Sequence, residues 1–259
     1  MSIAVDTLLP GTIPAPPPQV RDGLEIESDE RVRESLDVLA DLYNYNHWLF
    51  NKVRPFIRGR VCEVGCGTGN ITQFLLNFPE VLGMEPSPQS FERVRARFAC
   101  HLNMKFVGCR LDECPNPDVP AGEFDSVICL NVLEHIEDDV DALVRMRGLC
   151  GPRGRVIVLV PAHGCIYGQM DRSVGHYRRY SRRQVRQAFE RAGLRIVHAF
   201  YLNALGFFGW WWHGRVLKRE QIPVQAGRFF NRLVPFLDAA ERLLPPPFGQ
   251  SLIAVGTPA

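Results

Sequence analysis

The fold of this 259-residue chain is decided by the stretch Glu63-Val64-Gly65-Cys66-Gly67-Thr68-Gly69. An apolar run at 60–64 leads into it and indicates a β-strand, and a helix is predicted after it at 70–77. Alternate glycines let the backbone adopt positive φ and approach a ligand closely. A strand-to-helix turn at the carboxyl edge of a parallel sheet is where such sheets bind ligands. The stretch therefore predicts a ligand-binding turn, and a plain tight turn is the alternative.

Strands and helices alternate along the rest of the chain. Such alternation indicates an α/β fold with a parallel sheet and right-handed crossovers. Further strands are predicted at 81–85, 105–107, 124–130, 155–160, 194–200 and 251–255. Helices are predicted at 87–100, 138–149, 181–193 and 226–244, with a helical stretch at 29–56 before the glycine loop.

The composition suits one globular domain. The chain is 46% hydrophobic and carries a net charge of +2, so no nucleic acid partner is expected. Five prolines predict a flexible arm at 1–22, followed by a single domain at 23–259. Eight cysteines without paired CxxC motifs argue against a metal site and for a reducing cytoplasm. No signal peptide or membrane span is recognisable, and we expect a cytoplasmic monomer or homodimer.

Glu85 ends the second predicted strand, sixteen positions after Gly69. A carboxylate at this place can accept hydrogen bonds from both hydroxyls of a ribose, although a solvated strand end is the alternative. NAD-binding loops have the spacing GxGxxG, with a helix terminus facing a pyrophosphate. Here the spacing is GxGxG, and Asn70 stands where the last glycine of the NAD pattern would be. The NAD pattern is therefore incomplete here, and S-adenosylmethionine, which has no pyrophosphate, does not require it.

At this point the chain resembles the class I S-adenosylmethionine-dependent methyltransferases. The glycine loop is similar to their first motif, and Glu85 is similar to their ribose-binding acid. Residues 124–138 resemble their fourth strand and the following loop, and 149–155 resemble the turn into their fifth strand. The resemblance implies a three-layer sandwich with a seven-stranded, mostly parallel sheet whose last strand is antiparallel, and a helical C-terminal insert. It also implies S-adenosylmethionine as cofactor and S-adenosylhomocysteine as product.

The resemblance further implies which residues bind the cofactor. The first motif and Asn131 are expected at its methionine end, and the end of the third strand at its adenine. Many members have an acid where this chain has Cys109, so Leu111 or Asp112 is expected to supply that contact. The stretch 29–56 is expected to close over the cofactor or to pack on the sheet. The full predicted set is Tyr45, Glu63, Gly65, Cys66, Gly67, Gly69, Asn70, Glu85, Pro86, Leu111, Asp112, Asn131, Val132 and His135.

Three histidines are expected at the carboxyl edge of the sheet, namely His135, His163 and His176. An oxygen or nitrogen acceptor usually needs a base near neutral pKa, and histidine fits. The GHYRRY stretch around His176 resembles one found in a bacterial subgroup of these methyltransferases. We favour His176 as a base or acceptor-orienting group over a structural role, with Tyr177 and His163 as further catalytic candidates. His135 more often shapes its loop.

Two further segments, 163–180 and 201–247, are predicted to form a cap on the substrate side. Between 171 and 191 there are seven arginines and two acids, which form either a solvated helix face or an anion site. The apolar run Phe207–Trp212 precedes several basic residues. It is interpreted as the lid of a substrate pocket, as a membrane-surface contact or as a buried helix of the cap.

Together these features predict methyl transfer by in-line displacement to a small molecule, with a histidine as a candidate base. The apolar run favours an apolar or aromatic acceptor, such as a natural product of secondary metabolism or a lipid-like compound. One alternative is a scaffold that binds the cofactor without transferring methyl groups. Another is a cyclase-like enzyme in which the cofactor only organises the site.

Overall fold

A seven-stranded sheet forms the centre of the computed structural model, which describes residues 42–219 and 223–259. The predicted arm at 1–22 and the first part of the stretch 29–56 lie outside the described residues. The strands are β1 (Arg60–Val64), β2 (Glu80–Met84), β3 (Met104–Val107), β4 (Phe124–Leu130), β5 (Cys150–Pro161), β6 (Leu194–Leu202) and β7 (Ser251–Pro258). Their order across the sheet is β3-β2-β1-β4-β5-β7-β6.

The strand directions confirm the predicted sheet. Strands β1 to β5 pair in parallel, whereas β7 is antiparallel to both β5 and β6. Because β1 lies between β2 and β4, the loops that follow these three strands meet at one edge of the sheet. The glycine loop, Glu85 and Asn131 follow β1, β2 and β4 respectively, so the topology brings them to the same place.

Helices cover both faces of the sheet and complete the predicted three-layer sandwich. They are α1 (Tyr43–Val53), α2 (Pro88–Arg97), α3 (Asp139–Leu149), α4 (Gln169–Ser173), α5 (Arg182–Arg191), α6 (Ala204–Trp211) and α7 (Val224–Leu243). Strand residues alternate between two cores: Val127 faces the core that contains buried residues of α3 and α5, and Ile128 faces the one with α1 and α2. This is the period of two expected of a strand that is buried on both faces.

The helix predicted at 70–77 is wrong, because only a short 3₁₀ turn forms at Thr72–Phe74. The backbone groups that a longer helix would pair have other hydrogen-bond partners here. Gln73 Nε2 donates to the Asn70 carbonyl at 2.7 Å, and Phe74 N–H reaches back only to Ile71, at 2.9 Å. Local side-chain bonds of this kind compete with helix formation.

The tryptophan-rich segment forms α6 and a π-helical turn at Trp212–Val216. No residue of α6 is fully buried, which contradicts the interpretation of the segment as a buried helix. Trp211 and Trp212 are 42% and 50% exposed, whereas Trp210 points inward. Within the described ranges, no helix has both the length and the apolar character needed to cross a membrane.

Candidate active site

The glycine loop after β1 folds onto the end of β2. Gly65 and Cys66 both donate their backbone N–H groups to the Met84 carbonyl, at 2.9 and 3.0 Å. Gly67 donates its N–H to Glu85 Oε2 at 2.7 Å. The backbone has positive φ at Gly65, Gly67 and Gly69, with values of 71°, 55° and 86°. The loop is therefore held against Glu85 by its own backbone, in a conformation that favours glycine.

Gly65 is also needed for steric reasons. A Cβ atom at this position would lie 2.5 Å from Val132 Cγ2, in the loop that follows β4. The two loops can approach each other only because Gly65 has no side chain. Asn131, next to Val132, itself has a positive φ of 56°, and its N–H donates to the Leu159 carbonyl at 2.8 Å.

Glu85 is buried, and backbone N–H groups bind both of its carboxylate oxygens. Besides the bond from Gly67 to Oε2, Ser87 N–H donates to Oε1 at 3.0 Å. These bonds hold the carboxylate at the end of β2 beside the glycine loop, where a parallel sheet places a ribose-binding acid. The geometry of Glu85 therefore fits a nucleoside-bearing cofactor. Pro86, next in the chain, is exposed.

Glu63 lies buried at the end of β1 and accepts a hydrogen bond from Thr72 Oγ1 at 2.7 Å. Burial raises the pKa of this carboxyl to about 7, although the bond from Thr72 acts in the opposite direction. A cationic group close by would favour the charged form. Glu63 is thus suited to an ammonium group, such as that of a bound methionine moiety.

Other predicted cofactor residues lie around this loop. Cys66 and Asn70 are both buried beside it, and burial raises the pKa of the Cys66 thiol well above its usual value. After β3, Leu111 is buried in a 3₁₀ turn. The exposed Asp112 carboxylate accepts from Arg110 Nε at 3.0 Å, and this bond lowers its pKa.

Tyr45, on α1, lies at the contact of α1 with α7. Its backbone N–H donates to Asn231 Oδ1 at 2.9 Å, and its ring packs edge-on against Phe230 and Trp48. Burial raises the pKa of the Tyr45 hydroxyl to about 12, against the effect of a hydrogen bond with Asn203. The structure thus ties Tyr45 to the C-terminal helices.

A second polar cluster is built around Asp171 in α4, which is fully buried. Its Oδ1 accepts from His176 Nδ1 at 3.0 Å and from Arg179 Nε at 2.7 Å. Its Oδ2 accepts from Gly168 N–H at 2.9 Å and from Trp210 Nε1 at 3.2 Å. Burial acts to raise the pKa of Asp171, but His176 and Arg179 outweigh it and hold the pKa below its usual value.

His176 also lies next to the loop after β4. Its Nε2 is 3.9 Å from Glu134 Oε1, and its ring is perpendicular to that of His135 at 4.7 Å. Burial raises the pKa of Glu134 to about 7 and lowers that of His135 to about 3, with His176 adding to the effect on His135. Two of the three predicted histidines are therefore brought together.

The other two catalytic candidates, His163 and Tyr177, have different surroundings. His163 has a positive φ of 62° and stacks on Tyr201 at 4.8 Å, with Phe207 edge-on at 5.4 Å. Burial lowers its pKa, and its Nε2 has no hydrogen-bond partner among the described residues. The side chain of Tyr177 is 54% exposed and lies beneath Arg178.

Sequence reasoning missed Glu134, Asp171, Arg179 and Trp210 as members of this cluster. The only available signals were the Glu134–His135 pair and the acid five positions before His176. Neither signal shows that the two loops meet.

Curated relatives match this chain over part of its length. It is 28% identical over 117 residues to the tRNA U34 carboxymethyltransferase of Campylobacter fetus, which covers 42% of this chain and 40% of that protein. It is 29% identical over 100 residues to the ubiquinone biosynthesis O-methyltransferase of Alkalilimnicola ehrlichii, covering 38% and 40%. The chain thus spans less than half the length of these relatives.

Solved structures match more of the chain at lower identity. An S-adenosylmethionine-dependent methyltransferase of Thermotoga maritima has a TM-score of 0.60 and 16% identity, over 90% of this chain and 99% of that one. The geranyl diphosphate C-methyltransferase of Streptomyces coelicolor has a TM-score of 0.54 and 13% identity, over 78% and 73%. These two likenesses concern the fold.

The family follows from a match to a family model. Residues 33–199 match the model of the methyltransferase domain family. This range contains the glycine loop, Glu85 and the loop after β4, which are the motifs that predicted the family. The chain belongs to the methyltransferase domain family.

Proposed function

We propose that this protein transfers the methyl group of S-adenosylmethionine to a small-molecule acceptor and releases S-adenosylhomocysteine. The observation that carries the proposal is the closure of the glycine loop on Glu85, through the 2.7 Å bond from Gly67. It places a buried carboxylate at the end of β2 against the glycine loop that follows β1, which is where a parallel sheet binds the ribose of a nucleoside. Membership of the methyltransferase domain family supports the same cofactor.

In this proposal, different residues of the chain bind different parts of the cofactor. Bound S-adenosylmethionine supplies an electrophilic methyl group. Glu63 and Asn131 hold its methionine end, and Glu85 holds the ribose. Leu111 and Asp112 border the adenine. In-line displacement then requires mainly that the acceptor be positioned and, for oxygen or nitrogen, that a proton be removed.

His176 is the residue we propose to activate the acceptor. Asp171 accepts the Nδ1–H of His176 at 3.0 Å, which fixes the ring and leaves Nε2 with its lone pair. Asp171 is in turn held by Arg179 and Trp210, so the ring orientation does not depend on the substrate. A neutral imidazole held in this way can accept a proton from a hydroxyl or amine.

An apolar or aromatic acceptor fits the residues near His163. Its ring lies between Tyr201 and Phe207, and Phe248 packs edge-on against Phe207 at 5.4 Å. Aromatic side chains favour a planar or apolar ligand. We therefore keep a natural product or lipid-like compound as the acceptor class. A tRNA acceptor, suggested by the names of several relatives, is the competing outcome.

The test is to incubate the full chain with S-adenosylmethionine and fractionated cell extract. S-adenosylhomocysteine should accumulate together with a small molecule that has gained one methylene. A cyclase-like enzyme would leave the product mass without that gain, and a scaffold would form no S-adenosylhomocysteine.

A histidine variant then tests the acceptor side. His176→Gln should lower kcat by about 10²–10⁴-fold, the usual contribution of a positioned base, and leave cofactor affinity unchanged. His198→Ala removes an exposed imidazole from β6 and should leave kcat as in the wild type. Full turnover in His176→Gln would remove His176 from the reaction.

A further inference from the structure

One carboxylate and two imidazoles lie close together in this structure, from Glu134, His135 and His176. One potential ligand atom from each lies within 4.8 Å of the other two. We propose that these three residues bind a divalent transition-metal ion of the zinc class. The inference goes beyond methyl transfer, because this metal site is defined by the three side chains alone and not by the cofactor.

The first support is the carboxylate of Glu134. Its side chain is 1% exposed, and its Oε2 atom has no hydrogen-bond partner among the described residues. Buried carboxylate oxygens are nearly always paired, because an unpaired one forfeits its hydration without compensation. A cation bound at Oε2 or Oε1 would supply the missing partner.

The second support is the orientation of His176. Its Nδ1 is bound to Asp171 Oδ1 at 3.0 Å, so its Nε2 is the free atom, 3.9 Å from Glu134 Oε1. A histidine that binds a metal usually donates its other ring N–H to a carboxylate, which fixes the tautomer. Asp171 has that role here, and its own position is fixed by Arg179, Trp210 and the backbone of Gly168.

His135 completes the set in a similar way. Its ring is perpendicular to that of His176 at 4.7 Å, and it has a hydrogen bond with the backbone of Gly175. One ring nitrogen is thus occupied by the backbone, which leaves the other for a ligand. Both imidazoles therefore have an outer partner that orients them.

Only a small contraction is needed to form the site. With metal–ligand distances of about 2.0–2.1 Å, ligand atoms around a tetrahedral ion lie roughly 3.3 Å apart. The largest separation here is within 4.8 Å, so the atoms must move together by up to about 1.5 Å. Glu134 and His135 lie in a short 3₁₀ turn and His176 lies between α4 and α5, so all three ligands stand outside the long helices.

The ligand set selects the metal. Two imidazoles and one carboxylate suit Zn²⁺, Co²⁺ or Fe²⁺, whereas Mg²⁺ and Ca²⁺ prefer oxygen ligands alone. Three protein ligands also leave positions open for water or for an acceptor oxygen. The binding of an acceptor oxygen at such a position rests on the proposed function. Because His176 Nε2 cannot be ligand and base at once, metal binding would replace its role as base.

The experiment uses the metal-free full chain without cofactor or acceptor, so its result is independent of methyl transfer. Co²⁺ is added and the visible absorption spectrum is recorded, and Zn²⁺ is titrated by calorimetry. We expect one Co²⁺ per chain with the d–d bands of a nitrogen and oxygen site, displaced by Zn²⁺. Mg²⁺ should not displace it.

Variants locate the site. Glu134→Gln and His176→Gln should each weaken Zn²⁺ binding at least tenfold, and circular dichroism checks that they fold. His198→Ala is the control and should bind Zn²⁺ as the wild type does, because its imidazole is exposed on β6. Strong sulfur-to-cobalt charge-transfer bands would assign the metal to cysteines and overturn the proposal. So would a failure of millimolar Zn²⁺ to bind, which would leave His176 an imidazole held between two carboxyl groups.

Discussion

Glu85 Oε2 lies 2.7 Å from the backbone nitrogen of Gly67, so the carboxylate at the end of β2 is bound to the loop that follows β1. Glu85→Gln removes the charge and turns one amide N–H₂ towards a backbone donor of Gly67 or Ser87. We expect the affinity for S-adenosylhomocysteine to fall at least about tenfold, or about 1.4 kcal/mol, measured by calorimetry.

Glu80→Gln is the matched control for that prediction. Glu80 lies at the opposite end of the same strand, where it forms ion pairs with Arg60 and Lys105. Its substitution should leave the dissociation constant unchanged. Equal affinities in both variants and the wild type would exclude Glu85 from the cofactor site.

Gly65→Ala should damage both the fold and cofactor binding. The new Cβ would lie 2.5 Å from Val132 Cγ2, and the residue would have to keep a φ of 71°. We expect about 1–3 kcal/mol of lost stability in urea unfolding and a loss of cofactor affinity. Gly148→Ala, near the end of α3, has open space and should stabilise the chain by roughly 0.5–1 kcal/mol. Wild-type stability in Gly65→Ala would contradict the close approach of the two loops.

The stability of the chain should depend on pH through Glu63. Its folded pKa is raised to about 7 from 4.5, so the folded state keeps a proton that the unfolded chain has released. This contribution is fully present below pH 4.5 and is lost as the pH rises through 7. Its full size is on the order of 3 kcal/mol. Glu63→Gln should reduce the fall in unfolding free energy between pH 5 and 8, and an unchanged profile would refute this assignment.

Substitution of Trp210 should lower the stability of the chain more than substitution of its exposed neighbours. Its Nε1 donates to the buried Asp171 at 3.2 Å, and its ring lies 4.7 Å from the Arg179 guanidinium. Trp210→Phe keeps most of the ring and loses the hydrogen bond, so we expect a loss of about 1–2 kcal/mol in unfolding free energy and a lower kcat. Trp212→Phe, at a side chain that is half exposed, should change stability by less than about 0.5 kcal/mol. Equal effects of the two substitutions would mean that the bond to Asp171 contributes little.

The sequence was sufficient for the features that are local. Apolar runs indicated all seven strands, and the helix predicted at 181–193 forms as α5, with a capping box of Ser181 and Gln184 at its start. The glycine spacing and Glu85 predicted the family because each motif lies at the end of one strand. The helix expected at 70–77 does not form. The Gln73 side chain binds the Asn70 carbonyl, and hydrophobic periodicity does not reveal such a hydrogen bond.

The polar cluster could not be predicted in the same way. Trp210 lies 39 residues after Asp171, and its Nε1 donates to the carboxylate that also binds His176. Glu134 meets His176 only because the loop after β4 and the segment after α4 converge at the sheet edge. Such contacts depend on the three-dimensional arrangement of distant segments, so the sequence offered His176 as a candidate without its partners.

The most direct test of the proposed function is the transfer of a radiolabelled methyl group from S-adenosylmethionine into cell extract. With the wild-type chain, label should enter a low-mass, organic-extractable product, and with Glu85→Gln the rate should fall. Cofactor binding without any labelled small molecule, or label only in RNA, would contradict methyl transfer to a small-molecule acceptor.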